Sequence, residues 1–293
     1  MKVALHVPRF TWAGGPPELG ARFAELASAA DQAGFSYMSV MDHFFQIPPV
    51  GPAEWDMLEA YTTLGFLAAH TQRARLGTLV TGVHHRHPGV LVKQVTTLDV
   101  LSEGRAWLGI GAGWYARESA GLGVPFPPLK ERFERLEETL KIAHHMWRGD
   151  TSPLYGKHFQ LAEPINSPPP LSRPHPPILI GGGGERKTLR FVARYADACN
   201  IFARYPRGDL LRKLAKLRRY CDEEGRSYDA IQKTTLTQWN VARKSPQAIV
   251  DQIGELREIG FDTVIASLNG VETIKPIEVI ARDVLPQVVS RES

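Results

Sequence analysis

The sequence predicts an α/β fold: a single (β/α)8 barrel, a TIM barrel, with an insertion between the fourth and fifth strands. Three observations carry that expectation. Eight short apolar runs rich in Val, Ile and Leu recur along the chain, each too short for a helix and flanked by turn residues. Helical patterns lie between most of them. The runs also lack polar alternation, which is what parallel strands covered on both faces require.

In chain order the runs are VALHV from Val3, YMSVMDH from Tyr37, LGTLVTG from Leu76, AWLGIGAG from Ala106, PILIGGGG from Pro177, ACNIFA from Ala198, TTLTQWNVA from Thr234 and TVIASL from Thr263. Leu19 to Gly34 reads as a helix with Gly34 as its C-cap, and Ser245-Pro246 as the N-cap and first position of another. The clearest amphipathic stretch places Phe133, Leu136, Leu140, Ala143 and Trp147 on one face, with Glu134, Glu137, Glu138 and Lys141 on the other. Successive strand starts are separated by 34, 39, 30, 71, 21, 36 and 29 residues. The 71-residue gap is about double the others, and its second half is crowded with proline. We therefore expect one domain over 1–293 with an insertion at roughly 114–176, including a Pro-rich stretch at 150–177. A doubly wound open sheet alternates strand and helix in the same way and is the competing architecture.

Composition narrows the function. The 293 residues are 43% hydrophobic and 23% charged, enough apolar material for a large core and too few charges for a disordered chain. Lys plus Arg exceed Asp plus Glu by 35 − 31 = 4, with both signs interspersed, which excludes a nucleic-acid polycation. Cys199 and Cys221 are too few for a disulfide framework and are not spaced as a redox pair. The apolar run before Pro8 and Arg9 is too short for a signal-peptide core or a membrane span, so a cytoplasmic protein is expected.

In a barrel of this kind chemistry gathers where strands exit at their C-terminal ends. The second strand exits at Asp42-His43, either a proton-transfer and polar-anchoring pair or a buried hydrogen-bonded one. The third exits into VTGVHHRHP. His84, His85 and His87 cluster there, but no HExxH or spaced carboxylate accompanies them, so no metal is expected; His87-Pro88 reads as a helix start. The fourth meets Gly109, Gly111 and Gly113, which suit either close approach of a flat ring or tight packing. The fifth meets Gly181 to Gly184 followed by Glu185, Arg186, Lys187 and Thr188, a candidate anion cradle at a helix N-terminus. Eight basic and four acidic residues lie between Arg204 and Arg226, forming a solvated helix face or a groove for an anionic tail.

The segments YMSVMDHFF, RLGTLVTG, RHPGVLVKQVTTLDVLSEGRAWLGIGAGWYARE, FPPLKERFERLEETLKIAHHMW and PPILIGGGGERKTLRFVARYADACN, in that order, cover over half the chain. Together they resemble the luciferase-like monooxygenase superfamily, and within it the oxidoreductases that use the deazaflavin coenzyme F-420. The resemblance implies a flavin-type ring in the barrel mouth and its phosphate at the loop after the fifth strand. Carried over, Asp42 contacts the cofactor and His43 is the active-site histidine. Leu79-Val80 falls where the family often has a non-prolyl cis peptide against the ring, and Gly82 at the exit of the same strand joins the binding set. Ala112 and Gly113 supply fourth-strand contacts, and Gly183, Gly184, Glu185 and Arg186 the phosphate loop. Two departures stand out. Trp114 occupies the place of the catalytic glutamate of the sugar-phosphate dehydrogenases in this branch, and the acidic residue expected after the first strand is absent from VPRFTWAGG.

The expected function is hydride transfer between F-420 and a small organic substrate, with His43 moving the substrate proton. Trp12, Phe44, Trp55 and Trp114 would wall the pocket. An FMN-dependent monooxygenase fed by a separate reductase is the alternative, and a non-catalytic flavin-binding protein a third reading. A homodimer is expected by resemblance, with no nucleic-acid or membrane partner.

Overall fold

The eight apolar runs form β1 (Lys2–Val7), β2 (Tyr37–Asp42), β3 (Arg75–Gly82), β4 (Leu108–Gly111), β7 (Ile178–Gly181), β8 (Ala198–Phe202), β9 (Gln232–Trp239) and β10 (Thr263–Leu268), and two short strands, β5 (Leu154–Tyr155) and β6 (Gln160–Leu161), lie between the fourth and fifth runs. The structure is a computed structural model and describes residues 1–288; the last five positions of the expected 1–293 domain lie outside the described residues. All strands but β5 and β6 pair in parallel and close in the order β1-β10-β9-β8-β7-β4-β3-β2, which excludes the open sheet. The helices are α1 (Pro16–Ala33), α2 (Ala60–Ala69), α3 (Pro88–Leu101), α4 (Ala116–Leu122), α5 (Leu129–Trp147), α6 (Thr188–Tyr195), α7 (Arg207–Glu223), α8 (Pro246–Ile259), α9 (Lys275–Asp283) and α10 (Leu285–Val288).

The sequence punctuation acts as chemistry predicts. Gly34 and Gly260 end α1 and α8 in the left-handed region, and the Ser245 hydroxyl accepts from the Ala248 amide to cap α8. His87 caps α3, its ring accepting from the Gly89 amide. Between β4 and β7 the chain carries α4, α5 and the antiparallel hairpin β5–β6. The Glu138 carboxylate on α5 accepts the amides of Lys157, His158 and Phe159, anchoring the hairpin to that helix.

Side chains of the strands divide by alternation. Val3, Leu5, Val7, Leu76, Leu108, Ile110, Ile178 and Ile180 face the helices and form the main core, whereas the intervening residues face the barrel axis. That axis is unusually polar: His6 Nδ1 lies 2.9 Å from Ser39 Oγ, and Asn200 donates to Thr234 Oγ1. Near the strand N-termini Trp107 fills the axis, packed with Leu179, Ala198, Tyr37, Leu79 and Val80. Its indole N–H donates to the Thr78 carbonyl at 3.2 Å. Gly77 leaves the room for that ring, since a Cβ there would lie 2.6 Å from it. Among the described residues no helix is long and apolar enough to cross a membrane. Cys199 and Cys221 are free and buried.

Candidate active site

The β2 and β3 exits are out of step. Val40 pairs with Thr78 but Asp42 with Thr81, so β3 carries one extra residue in that interval. The excess falls at Leu79-Val80, a cis peptide as the resemblance implies. Val80 stands above the glycines of the neighbouring strands: a Cβ on Gly111 or Gly181 would come within 3.1 or 2.9 Å of its methyl carbons. Gly82 and Gly113 make room for histidine rings, because a Cβ at either would meet His84 at 2.9 or 2.4 Å. The glycines thus serve close packing, seating Val80 and the His84 ring against the backbone of β3, β4 and β7.

Asp42 and His43 both join one buried charge cluster through partners the sequence did not single out. Asp42, 1% exposed, accepts a bidentate pair of hydrogen bonds from Arg86 at 2.5 and 2.9 Å. Arg86 also reaches Glu59 at the start of α2. Asp42 therefore anchors the β3 exit loop, and its oxygens are engaged within the protein. Burial opposes its charge, but His85 and Arg86 outweigh burial and hold its pKa down to about 2.

His43 Nδ1 lies 2.7 Å from Glu118 Oε1 on α4. The other Glu118 oxygen accepts the Phe44 and Phe45 amides at 2.8 and 3.4 Å. Burial disfavours the Glu118 carboxylate, yet His43, His85 and the Phe44 amide bring its pKa down to about 2. An ionised carboxylate only accepts, so His43 carries its proton on Nδ1 and leaves Nε2 to exchange one. His43 keeps 12% of its side chain exposed, between Trp114 at 5.8 Å and Tyr115 at 5.9 Å.

The three clustered histidines diverge. His84 Nε2 lies 3.1 Å from Ser119 Oγ, and burial together with the nearby His85 and Arg132 charges lowers its pKa to about 4. His85 sits between Asp42 at 3.6 Å and Glu118 at 3.5 Å; although burial works against its charge, the two carboxylates raise its pKa to about 9. His87 serves as the α3 cap. Ala112 and Gly113 are held by Arg132 of α5, which donates to both carbonyls and is itself buried.

At the β7 exit, Gly182 takes φ +113° and donates its amide to Asn200 O. The amides of Gly183, Gly184 and Glu185 have no acceptor among the described residues, leaving donors for an anion. The glycines do not abut the helix as the sequence suggested: α6 starts at Thr188, because the chain makes another turn first, with Leu189 N donating to Gly184 O. The Glu185 carboxylate is taken up by Arg212 at 3.1 Å and Lys213 at 3.3 Å, so an anion at this loop would meet the Glu185 amide and not its side chain. Arg186 is exposed. The basic stretch from Arg204 to Arg226 is largely neutralised by Glu185, Asp209, Glu223, Asp197 and Glu258.

Of the expected aromatic wall, Trp114 is 55% exposed beside His43 and Phe44 packs on His85. Trp55 lies under the Arg9 guanidinium. Trp12 instead belongs to the core, edge-on to Phe23 at 5.7 Å, because the chain after β1 folds back onto α1.

Comparison with known proteins gives this geometry a context. The family described as luciferase-like monooxygenase matches residues 1–273. A protein of Nakamurella multipartita named F420-dependent glucose-6-phosphate dehydrogenase is 34% identical over 184 residues, 62% of this chain and 51% of that protein. The chain therefore spans about half the length of that relative in the match. Among solved structures, an F420-dependent secondary alcohol dehydrogenase in complex with an F420-acetone adduct superimposes with TM-score 0.82 at 16% identity, covering 99% of this chain and 100% of that one. The oxygenating constituent of 3,6-diketocamphane monooxygenase from Pseudomonas putida, in complex with FMN, gives 0.77 at 17%, covering 99% of each. These structural likenesses establish the shared fold. With the matched profile running from β1 to beyond β10, the chain belongs to the luciferase-like monooxygenase family.

Proposed function

We propose that this protein binds coenzyme F-420 in the barrel mouth and transfers a hydride to or from a small organic substrate. The observation that carries the reading is His43, held by Glu118 at a strand exit with Nε2 left to exchange a proton. Val80, seated close on Gly111 and Gly181 at the cis peptide, suits one face of a planar ring, and the amides at 183–185 suit its phosphate. F420-dependence in the name of the matched relative supports the same cofactor. When bound, the deazaflavin supplies a carbon centre that accepts and returns hydride without the ready oxygen chemistry of a flavin.

In the oxidative direction His43 Nε2 takes the proton of a substrate hydroxyl as hydride leaves the carbon bearing it; in reduction the same nitrogen returns the proton to the carbonyl oxygen. The Glu118 carboxylate stabilises the imidazolium formed in between. Trp114 orients the apolar part of the substrate at the rim. Sugar-phosphate oxidation is not part of this proposal, because Trp114 stands where the matching glutamate is expected.

Absorbance titration with F-420 and FMN tests the cofactor; submicromolar FMN binding with none for F-420 would reverse the reading in favour of a monooxygenase. For the residue, His43→Ala is expected to slow hydride transfer about 10²–10⁴-fold with cofactor affinity unchanged. Near-normal turnover would remove His43 from the mechanism. A homodimer is part of the reading, and sedimentation velocity giving a 32.6 kDa species alone would remove it.

A further inference from the structure

His85 is the member of the charge cluster that the proposed chemistry leaves without a task. Its side chain is 2% exposed, deeper than that of His43. Nδ1 faces Asp42 Oδ2 at 3.6 Å and Nε2 faces Glu118 Oε1 at 3.5 Å. These separations exceed hydrogen-bond length but lie in ion-pair range, and the two ring nitrogens point at two different carboxylates. A neutral imidazole would turn one lone pair toward a buried carboxylate, which is repulsive; only a doubly protonated ring suits both sides.

The Glu118 oxygen involved is the one that serves His43. Oε1 lies 2.7 Å from His43 Nδ1 and 3.5 Å from His85 Nε2, while Oε2 takes the Phe44 and Phe45 amides. The two histidines thus share one acceptor, with ring centroids 6.3 Å apart. We propose that His85 is a positioning residue: a buried imidazolium at neutral pH that takes up part of the Glu118 charge. Glu118 then orients His43 without trapping it as a salt-bridged cation. This rests on the reading of His43 as the proton-transfer group.

The surrounding charges agree with that task. His43 faces Glu118 on α4 and His85 at the β3 exit, Trp114 and Tyr115 flank it, and His6 on β1 senses its charge. His85 faces Asp42 on β2, Glu118 and the His84 ring at 4.3 Å. Arg86 already neutralises Asp42 through two hydrogen bonds, so His85 is the cation left for Glu118. With His85 neutral, Glu118 would attract a proton to His43 unopposed, and a histidine that stays protonated is a poor base.

Nitrogen-15 histidine spectra of the full chain without cofactor test this separately from any titration with F-420 or FMN. At pH 7, His85 is expected to show both ring nitrogens protonated and His43 the Nδ1–H form. In His85→Gln the Nδ1–H form of His43 at pH 7 is expected to give way in part to the doubly protonated ring, since a like charge nearby is gone, whereas His85→Lys restores the Nδ1–H form. A neutral His85 at pH 7 overturns the proposal, as does a His43 spectrum at pH 7 unchanged in His85→Gln. If His85→Gln does not fold, the wild-type spectrum, assigned by replacing other histidines, still decides the charge of His85.

Discussion

Raising the pH from 7 to 10 is expected to strip stability from this protein through His85. Its pKa rises from an ordinary value of 6.5 to about 9 in the folded chain, where Asp42 and Glu118 bracket the ring. A raised folded value means that the charged form favours folding. The contribution is fully present below the unfolded value and disappears as pH climbs through the folded one. In full it corresponds to about 3 kcal/mol, most of which remains at pH 7 and almost none at pH 10. Urea unfolding of the wild type and His85→Gln at both pH values measures this directly. Lysines, tyrosines and cysteines titrate in both chains, so the difference between the two losses isolates His85. The wild type is expected to lose about 2–3 kcal/mol more than the variant. Equal losses in the two chains would refute the assignment of a buried imidazolium.

Arg86→Met leaves Asp42 as a buried carboxylate without its bidentate partner and is expected to cost about 3–5 kcal/mol in chemical denaturation, much of it recovered in Asp42→Asn/Arg86→Met. Gly113→Ala places a Cβ 2.4 Å from the His84 ring at a backbone with φ +73°; a loss of about 1–3 kcal/mol is expected in thermal unfolding, and an unchanged transition would contradict the packing described. Glu185→Gln releases Arg212 and Lys213 beside the glycine loop and is expected to tighten phosphate-bearing cofactor binding several-fold at low salt, an advantage that fades at high salt. No gain by isothermal titration at low salt would separate those cations from the anion site.

The barrel was readable because its signals are local. A parallel strand covered on both faces must be apolar along its length, so Val3–Val7 or Ile178–Ile180 declare themselves without knowledge of their partners. The same holds for Gly34 and Ser245, whose capping roles depend on the next few residues. His43 was readable by position, as a titratable residue where a barrel strand ends. Its partner was not: Glu118 lies 75 residues away on a short helix whose approach depends on the path of the loop after β4. Among WYARES nothing marks Glu118 as buried and Arg117 beside it as solvated. Arg86 hid in the same way, inside a histidine-rich run that drew attention to metal chemistry, and so did the opposite fates of His84 and His85. Trp12 failed for a related reason, since an aromatic residue after a strand can turn to the mouth or to the helix layer, and only packing against Phe23 decides.

Trp107 has a kinetic consequence. With its indole wedged across the axis against Gly77 and Leu179, the end of the barrel opposite the strand exits is stoppered. On the proposed function, a bulky coenzyme and its reaction partner would use one doorway, and the one lodged against Val80 would not depart while the other stands in front of it. If the mouth holds a coenzyme as proposed, turnover would be ordered, coenzyme first in and last out, and an inert molecule that fits only the outer position would slow coenzyme escape instead of competing with its arrival.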